Sequence, residues 1–336
     1  MSRSERSADD LSVASPVALA EIPLIDFAPF LAGDPEDRCA VAAEIAAACE
    51  EIGFFYLKGH GVPPVAIDAI FDEARRFFAQ PASLRAEALA TPAWYRGWIP
   101  APAAQPLSRN TRMFEQYRLQ PEWPADPDDA DHAAIFDKPN RWPASVPAFR
   151  RASEDYLDAM LRLSRELLRA FALGLGLPEG RFDDCFNHPP SQLSMNYYPV
   201  LPASAEHDVS NMVAHTDEGP FTILAQDTHD GLEVKRRDGV WIQAPPIAEA
   251  FTINVGDMMM WWSNGRFLSN LHRVRNRGDV ERFSIPYFAN PDRSVTVAPL
   301  PEIVGDGEAL YPPVRVAEHL ARFYSKLSMD PHDIYR

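Results

Sequence analysis

Cysteine is scarce in this chain. Its 336 residues contain three, Cys39, Cys49 and Cys185, an odd number with no C-x-x-C pair. So sparse a set argues against a disulfide framework, and Cys39 and Cys49, too far apart for C-x-x-C chemistry, are given no metal role. They read as buried, reduced thiols of a cytoplasmic protein. Long apolar runs are also missing: none approaches the roughly 20 residues that a membrane-spanning helix needs. The N-terminus lacks the charged-then-apolar layout of a secretory signal, which adds to the expectation of a cytoplasmic location. Basic charge is in deficit, with 32 Lys and Arg against 48 Asp and Glu, a formal net charge of −16. Such a surface repels polyanions, so nucleic acid is disfavoured as a partner. No internal repeat divides the chain. What is present is ordinary for a globular enzyme: 46% hydrophobic residues and a length that fits one large domain or two small ones.

The chemistry concentrates between His215 and Ser284. His215-Thr216-Asp217 places an imidazole and a carboxylate two residues apart, and in extended backbone such side chains share a face. Two imidazoles and one carboxylate suit an open-sided ferrous site, and His272 is the best candidate for the third ligand. The same set also suits a hydrolytic zinc. Arg282 and Ser284 repeat the two-residue spacing: both face one side of a strand while Phe283 and Ile285 face the other. A guanidinium beside a hydroxyl makes a clamp for a carboxylate. Met258-Met259-Met260-Trp261-Trp262 reads as a buried strand, and Leu271 to Val274 as its neighbour.

Around this stretch the chain alternates between helical and strand signals. Residues 1–21 are polar and read as a disordered tail. Ile22 to Asp26 is a short strand. Asp34-Pro35 starts a helix whose stripe is Val41, Ile45, Cys49 and Ile52, and Gly53 stops it. Phe54 to Leu57 is a strand, and a second helix runs from Pro64 to Ala79. His60, between two glycines, reads as a turn residue rather than a ligand. The stretch from 91 to 147 is rich in Pro, Trp and Arg and has little periodicity, the pattern of a lid or binding loop. Its arginines (Arg96, Arg109, Arg112, Arg118) hint at an acidic substrate and its aromatics (Trp94, Trp98, Phe114) at an apolar body; the alternative is that they pack the lid and pair with the surplus acids. A long helix follows from Pro147 to Leu173, with Tyr156, Met160, Leu163, Leu167 and Phe171 inward. From Gln192 onward short strands alternate with turn signals at Asp230-Gly231, Asp238-Gly239, Gly256-Asp257 and Asn264-Gly265, which suggests a sandwich or barrel. Val314 to Leu327 forms a last amphipathic helix. His207, His229 and His319 read as satisfied core or surface histidines.

Taken in order, Ile22-Pro23-Leu24-Ile25-Asp26, Gly53-Phe54-Phe55, Gly59-His60-Gly61-Val62-Pro63, Asn196-Tyr197-Tyr198-Pro199, the H-x-D, Asn254-Val255-Gly256-Asp257, Trp262-Ser263-Asn264-Gly265, His272-Arg273-Val274 and Arg282-Phe283-Ser284-Ile285-Pro286 closely resemble the iron(II)- and 2-oxoglutarate-dependent oxygenases of the isopenicillin N synthase-like family. In that family R-x-S follows the distal His by ten residues, as Arg282 follows His272 here. The resemblance runs from about Ile22 to about Ser328.

It implies a mostly β chain with flanking helices: a 22–146 N-terminal α/β region with pocket-lining loops, a 147–190 long helix and connector, a 191–300 double-stranded β-helix (jelly-roll) core, and a 301–336 C-terminal helix and tail. It implies iron(II) on His215, Asp217 and His272. It implies 2-oxoglutarate held by Arg282 and Ser284, with Asn196 and Tyr198 beside it. Dioxygen is the oxidant, and ascorbate is an allowed reductant. The reaction implied is oxidation of an unactivated C–H bond of a small metabolite, most often hydroxylation, with release of succinate and CO2, by a monomer or simple homo-oligomer. The alternative within the fold is an iron and dioxygen oxidase that cyclises or desaturates without 2-oxoglutarate; a non-catalytic binding protein would have no need of three intact ligands. The zinc reading leaves Arg282, Ser284 and the Asn196-to-Pro199 segment unexplained. Departures fall around the pocket mouth: Val200 replaces a frequent second Pro, Ser204 to Asn211 are extra polar residues, and Glu218-Gly219-Pro220 follows the H-x-D.

Overall fold

Two sheets carry the architecture of the computed structural model, which describes residues 21–91, 94–101, 114–125, 131–200, 212–275 and 280–327. Residues 1–20 of the sequence-predicted tail, Arg109, Arg112, His207 and the Ser204–Asn211 insertion lie outside the described residues. The strands of these two sheets are β1 (Leu24–Asp26), β2 (Phe54–Lys58), β3 (Gly97–Ile99), β4 (Glu115–Leu119), β5 (Gln192–Tyr198), β6 (Met212–His215), β7 (Phe221–Gln226), β8 (Leu232–Lys235), β9 (Trp241–Gln243), β10 (Phe251–Val255), β11 (His272–Val274) and β12 (Arg282–Phe288). The large sheet has the order β1-β2-β10-β7-β12-β5-β4-β3, and the small one β6-β11-β8-β9. Among the described residues of the two sheets only β1 and β2 pair as parallel strands; the other strand pairs are antiparallel.

Three helices cover the outer face of the large sheet: α1 (Pro35–Glu51), α2 (Pro64–Phe78) and α3 (Phe149–Gly174). The α1 start is built as its sequence suggests. The Asp34 side chain accepts from the backbone N–H groups of Glu36 and Asp37 at 2.9 and 3.3 Å, and Pro35 occupies the first turn. Capping satisfies donors that a helix start leaves orphaned. The inward stripe of α3 includes Tyr156, Met160, Leu163, Leu167 and Phe171, all buried. Strand alternation supplies the matching apolar face: Phe283 packs against Tyr197 with ring centroids 5.0 Å apart and lies 6.2 Å from Phe78, while Tyr117 meets Phe77 and Phe149.

Three readings of the sequence are corrected. Met258 to Trp262 is not a strand: Asp257–Trp262 forms the short helix α4. An apolar run this short carries no usable period, and Asn264-Gly265 closes the helix rather than a hairpin. Both residues have positive φ, and the Gly265 N–H returns to the Met260 carbonyl. The irregular 91–147 stretch contains β3 and β4, which complete one edge of the large sheet. The thiols differ in setting: Cys49 is buried, Cys185 intermediate and Cys39 exposed. Among the described residues no helix is long and apolar enough to cross a membrane.

Gly53 turns the chain from α1 into β2. Its φ is +70°, and a Cβ there would sit 2.1 Å from the Leu268 carbonyl oxygen. Gly53→Ala should therefore combine left-handed strain with a backbone clash and cost about 2–4 kcal/mol, seen as a lowered Tm. Gly33→Ala, at φ +90° with nothing within 4 Å, should cost only the strain. Equal losses in the two variants would remove the clash from the account.

Candidate active site

His215 ends β6, His272 begins β11, and the two are direct cross-strand partners with ring centroids 4.3 Å apart. Asp217 lies just past the end of β6. Its Oδ1 is 3.7 Å from the Nε2 of each histidine. All three side chains are buried, and their ligand atoms lie within 4.8 Å of one another.

The surrounding bonds prepare these atoms for a cation. The His215 Nδ1 faces the Val213 carbonyl at 2.9 Å, and the His272 Nδ1 faces the Asn270 carbonyl at 3.3 Å. A carbonyl only accepts, so each Nδ1 carries a proton, and each Nε2 is the ring atom turned toward Asp217. The other carboxylate oxygen, Oδ2, accepts from Thr222 Oγ1 at 2.5 Å and Asn254 Nδ2 at 2.7 Å. Oδ1 is left facing the two imidazoles.

Protonation follows the same logic. Burial, then the neighbouring His272, pushes His215 down to about 4 against the pull of Asp217. Burial alone would raise Asp217, but His272, His215 and the bonds from Thr222 and Asn254 outweigh it and hold the carboxyl below the usual range. Neutral imidazoles and an ionised carboxylate are the forms that ligate a metal.

A cavity of about 280 Å³ opens between the sheets beside this cluster. All seven residues singled out in the sequence line it: His215, Asp217, His272, Arg282, Ser284, Asn196 and Tyr198. Arg282 is fully buried. Its Nε donates to the His229 carbonyl at 3.2 Å, its Nη2 to Gln226 Oε1 at 2.9 Å, and it stands 5.0 Å from the Tyr198 ring centroid. Its Nη1 is buried without a hydrogen-bond partner, and no carboxylate among the described residues pairs with it. Ser284, two residues along on the same face, lies 3.4 Å from Asn196 Nδ2.

The comparisons agree with this geometry. Residues 22–145 match the family described as "non-haem dioxygenase in morphine synthesis N-terminal", and residues 189–291 the "2OG-Fe(II) oxygenase superfamily". The "2-oxoglutarate-Fe(II) type oxidoreductase ppzC" of Metarhizium rileyi is 35% identical over 290 residues, 80% of this chain and 77% of its own. The chain belongs to the 2-oxoglutarate- and iron(II)-dependent oxygenases. The "Homoarginine-6-hydroxylase 2-ODD-C23" of Glycine max is 32% identical over 84% of this chain and 88% of its own. Among solved structures, a full-length Neurospora crassa protein in complex with alpha-KG superposes with a TM-score of 0.81 at 28% identity, covering 90% of this oxygenase and 96% of the Neurospora chain. JOX2 in complex with 2OG, Fe and JA superposes with a TM-score of 0.75 at 28% identity, covering 93% and 86%. The jelly-roll reading of the fold accords with these neighbours.

Other residues of the oxygenase site escaped the sequence. Thr222 and Asn254 orient Asp217 from two strands of the large sheet, and nothing local to them signals that task. Gln116 and Arg118 reach the cavity from β4; Arg118 was among the arginines weighed for the pocket, whereas Gln116, although Gln116-Tyr117-Arg118-Leu119 alternates polar and apolar, lay within a stretch read as irregular. His319 is no bland histidine: from helix α5 (Val316–Leu327) its ring bonds Glu218, packs edge-on against Trp261 and lines the cavity with Leu320, Phe323 and Tyr324. Arg96, Trp94 and Trp98 do not line the cavity. Arg96 donates to Gln120 and the Phe136 carbonyl, Trp94 to the Pro139 carbonyl and Trp98 to Glu115. His60 is a turn residue as expected, its Nδ1 accepting from the Val62 N–H at 3.1 Å.

In the metal-free protein, ring NMR should find His215 neutral and Nδ1-protonated at pH 6, because its folded value lies below the usual value of about 6.5 for histidine. Its contribution to stability is then full above pH 6.5 and declines as acid approaches pH 4. A titration midpoint at or above 6.5 would contradict the described burial.

Proposed function

We propose that His215, Asp217 and His272 hold the iron(II), that Arg282 and Ser284 hold the far carboxylate of 2-oxoglutarate, and that the reaction is hydroxylation of a small organic metabolite. The observation that carries this reading is Arg282. A guanidinium sealed from water, with a buried, unpartnered nitrogen and no carboxylate among the described residues paired with it, is costly unless a ligand supplies the charge. The cavity it lines joins it to a two-imidazole, one-carboxylate cluster on one side of a metal position. That donor set leaves open coordination sites for a keto acid and dioxygen, the combination from which this chemistry draws its oxidising power.

The rest of the chain's contribution is placement and exclusion. Asn196 and Tyr198 flank the carboxylate end: Asn196 reaches Ser284, and the Tyr198 ring stands beside Arg282. Met212, Val274, Leu320 and Phe323 give apolar wall near the histidines and the closing helix, which keeps water from a substrate C–H bond. A cavity of about 280 Å³ suits a small molecule lying beside the cosubstrate.

The test is optical. Iron(II) added without oxygen, followed by 2-oxoglutarate, should give a saturable visible charge-transfer band. Asp217→Ala should lose iron and band together. Arg282→Ala should keep iron and need at least about tenfold more 2-oxoglutarate, the scale of a lost charge-assisted pair. Iron binding without a band at any concentration would favour the oxidase that works without 2-oxoglutarate; full turnover by Asp217→Ala would remove the ligand assignment.

A further inference from the structure

Four side chains form a directed row across the cavity face of three neighbouring strands. Arg118 Nε donates to Gln116 Oε1 at 2.5 Å, Gln116 Nε2 donates to Asn196 Oδ1 at 2.8 Å, and Asn196 Nδ2 donates to Ser284 Oγ at 3.4 Å. The register makes the last three residues a straight ladder, with Gln116 opposite Asn196 on β5 and Asn196 opposite Ser284 on β12. All four are buried and line the cavity.

The direction of the row is not arbitrary. A guanidinium can only donate, whereas an amide can be turned either way. Arg118 therefore claims the Gln116 carbonyl oxygen, so the Gln116 NH2 must face Asn196. That claims the Asn196 carbonyl oxygen in turn and points its NH2 at Ser284. Oγ then accepts from Asn196, and the hydroxyl proton is released toward the cavity, where Arg282 lies on the same face. Turned the other way, the Asn196 carbonyl would compete for that proton.

We propose that Arg118 and Gln116 are positioning residues for the cosubstrate: together they fix the donor direction of the row, so that Ser284 presents its proton to the carboxylate that Arg282 holds. This deepens the function proposed above and rests on it. It also gives the N-terminal segment, through β4, a part in cosubstrate binding.

The test is a double-mutant cycle on binding rather than turnover. Iron(II)-loaded protein is titrated with 2-oxoglutarate under nitrogen and followed by the charge-transfer band. Gln116→Glu offers only acceptors, so Asn196 should turn its NH2 toward position 116 and capture the Ser284 proton. Gln116→Glu and Ser284→Ala should each weaken binding about tenfold, the scale of one hydrogen bond to a charged group. The double variant should be no weaker than Ser284→Ala alone, because the effect passes through that hydroxyl. Multiplied penalties, near a hundredfold by the same scale, would show that Gln116 acts through its charge or the fold, and would overturn the proposal; so would an unchanged Gln116→Glu. Should Gln116→Glu not fold, Arg118→Met carries the same cycle: it frees the Gln116 amide to turn, and any loss must vanish in the Ser284→Ala background. A wild-type protein that binds iron but not 2-oxoglutarate would overturn this inference and the functional reading together, a result distinct from failure of the cycle alone.

Discussion

Keeping a guanidinium out of water is the constraint on which the rest of this structure depends. Arg282 has no exposed surface, and burying such a charge without compensation costs several kcal/mol. The protein offsets part of that with the His229 carbonyl, the Gln226 side chain and the Tyr198 ring. It leaves one nitrogen over. In the function proposed above, an anion of the right reach would match the remaining donor, and no carboxylate of the described residues takes its place.

Asp217 performs the complementary task at the other end. It lies beyond the end of a strand of the small sheet, yet its carboxylate is tied to Thr222 on β7 and Asn254 on β10 of the large one. The two histidines belong to the small sheet alone. One carboxylate thus bridges the layers, and the geometry of the cluster reports how the sheets are seated on each other. His272 adds a second link, its ring meeting Phe54 of β2 edge-on at 5.6 Å.

What the sequence made legible was local. A spacing of two residues on a strand is enough to put His215 beside Asp217 and Arg282 beside Ser284, because strand alternation leaves no choice of face. Asp34-Pro35 announced a helix start for the same reason: the capping bond spans only two or three residues. Features that depend on long-range packing were not legible. Met258 to Trp262 is apolar whether helical or extended, and only its place beneath the sheets decides between them. The meeting of His319 with Glu218 joins residues about a hundred positions apart in sequence. The residues orienting Asp217 come from strands whose relative order no local pattern encodes. Gln116 and Arg118 stood within an alternating strand, but prolines and arginines on either side obscured it.

The position of β4 has one further consequence. In sequence, residues 22–145 and 189–291 match two separate families. In space β3 and β4 from the first segment and β5 from the second are consecutive strands of one sheet. Besides the connection through α3, the two segments therefore share a hydrogen-bonded seam. A chain cut there would bare the whole edge of β5, with unpaired peptide groups beside Leu193, Met195 and Tyr197, a surface that recruits other strands and aggregates. Neither segment has a finished edge without the other.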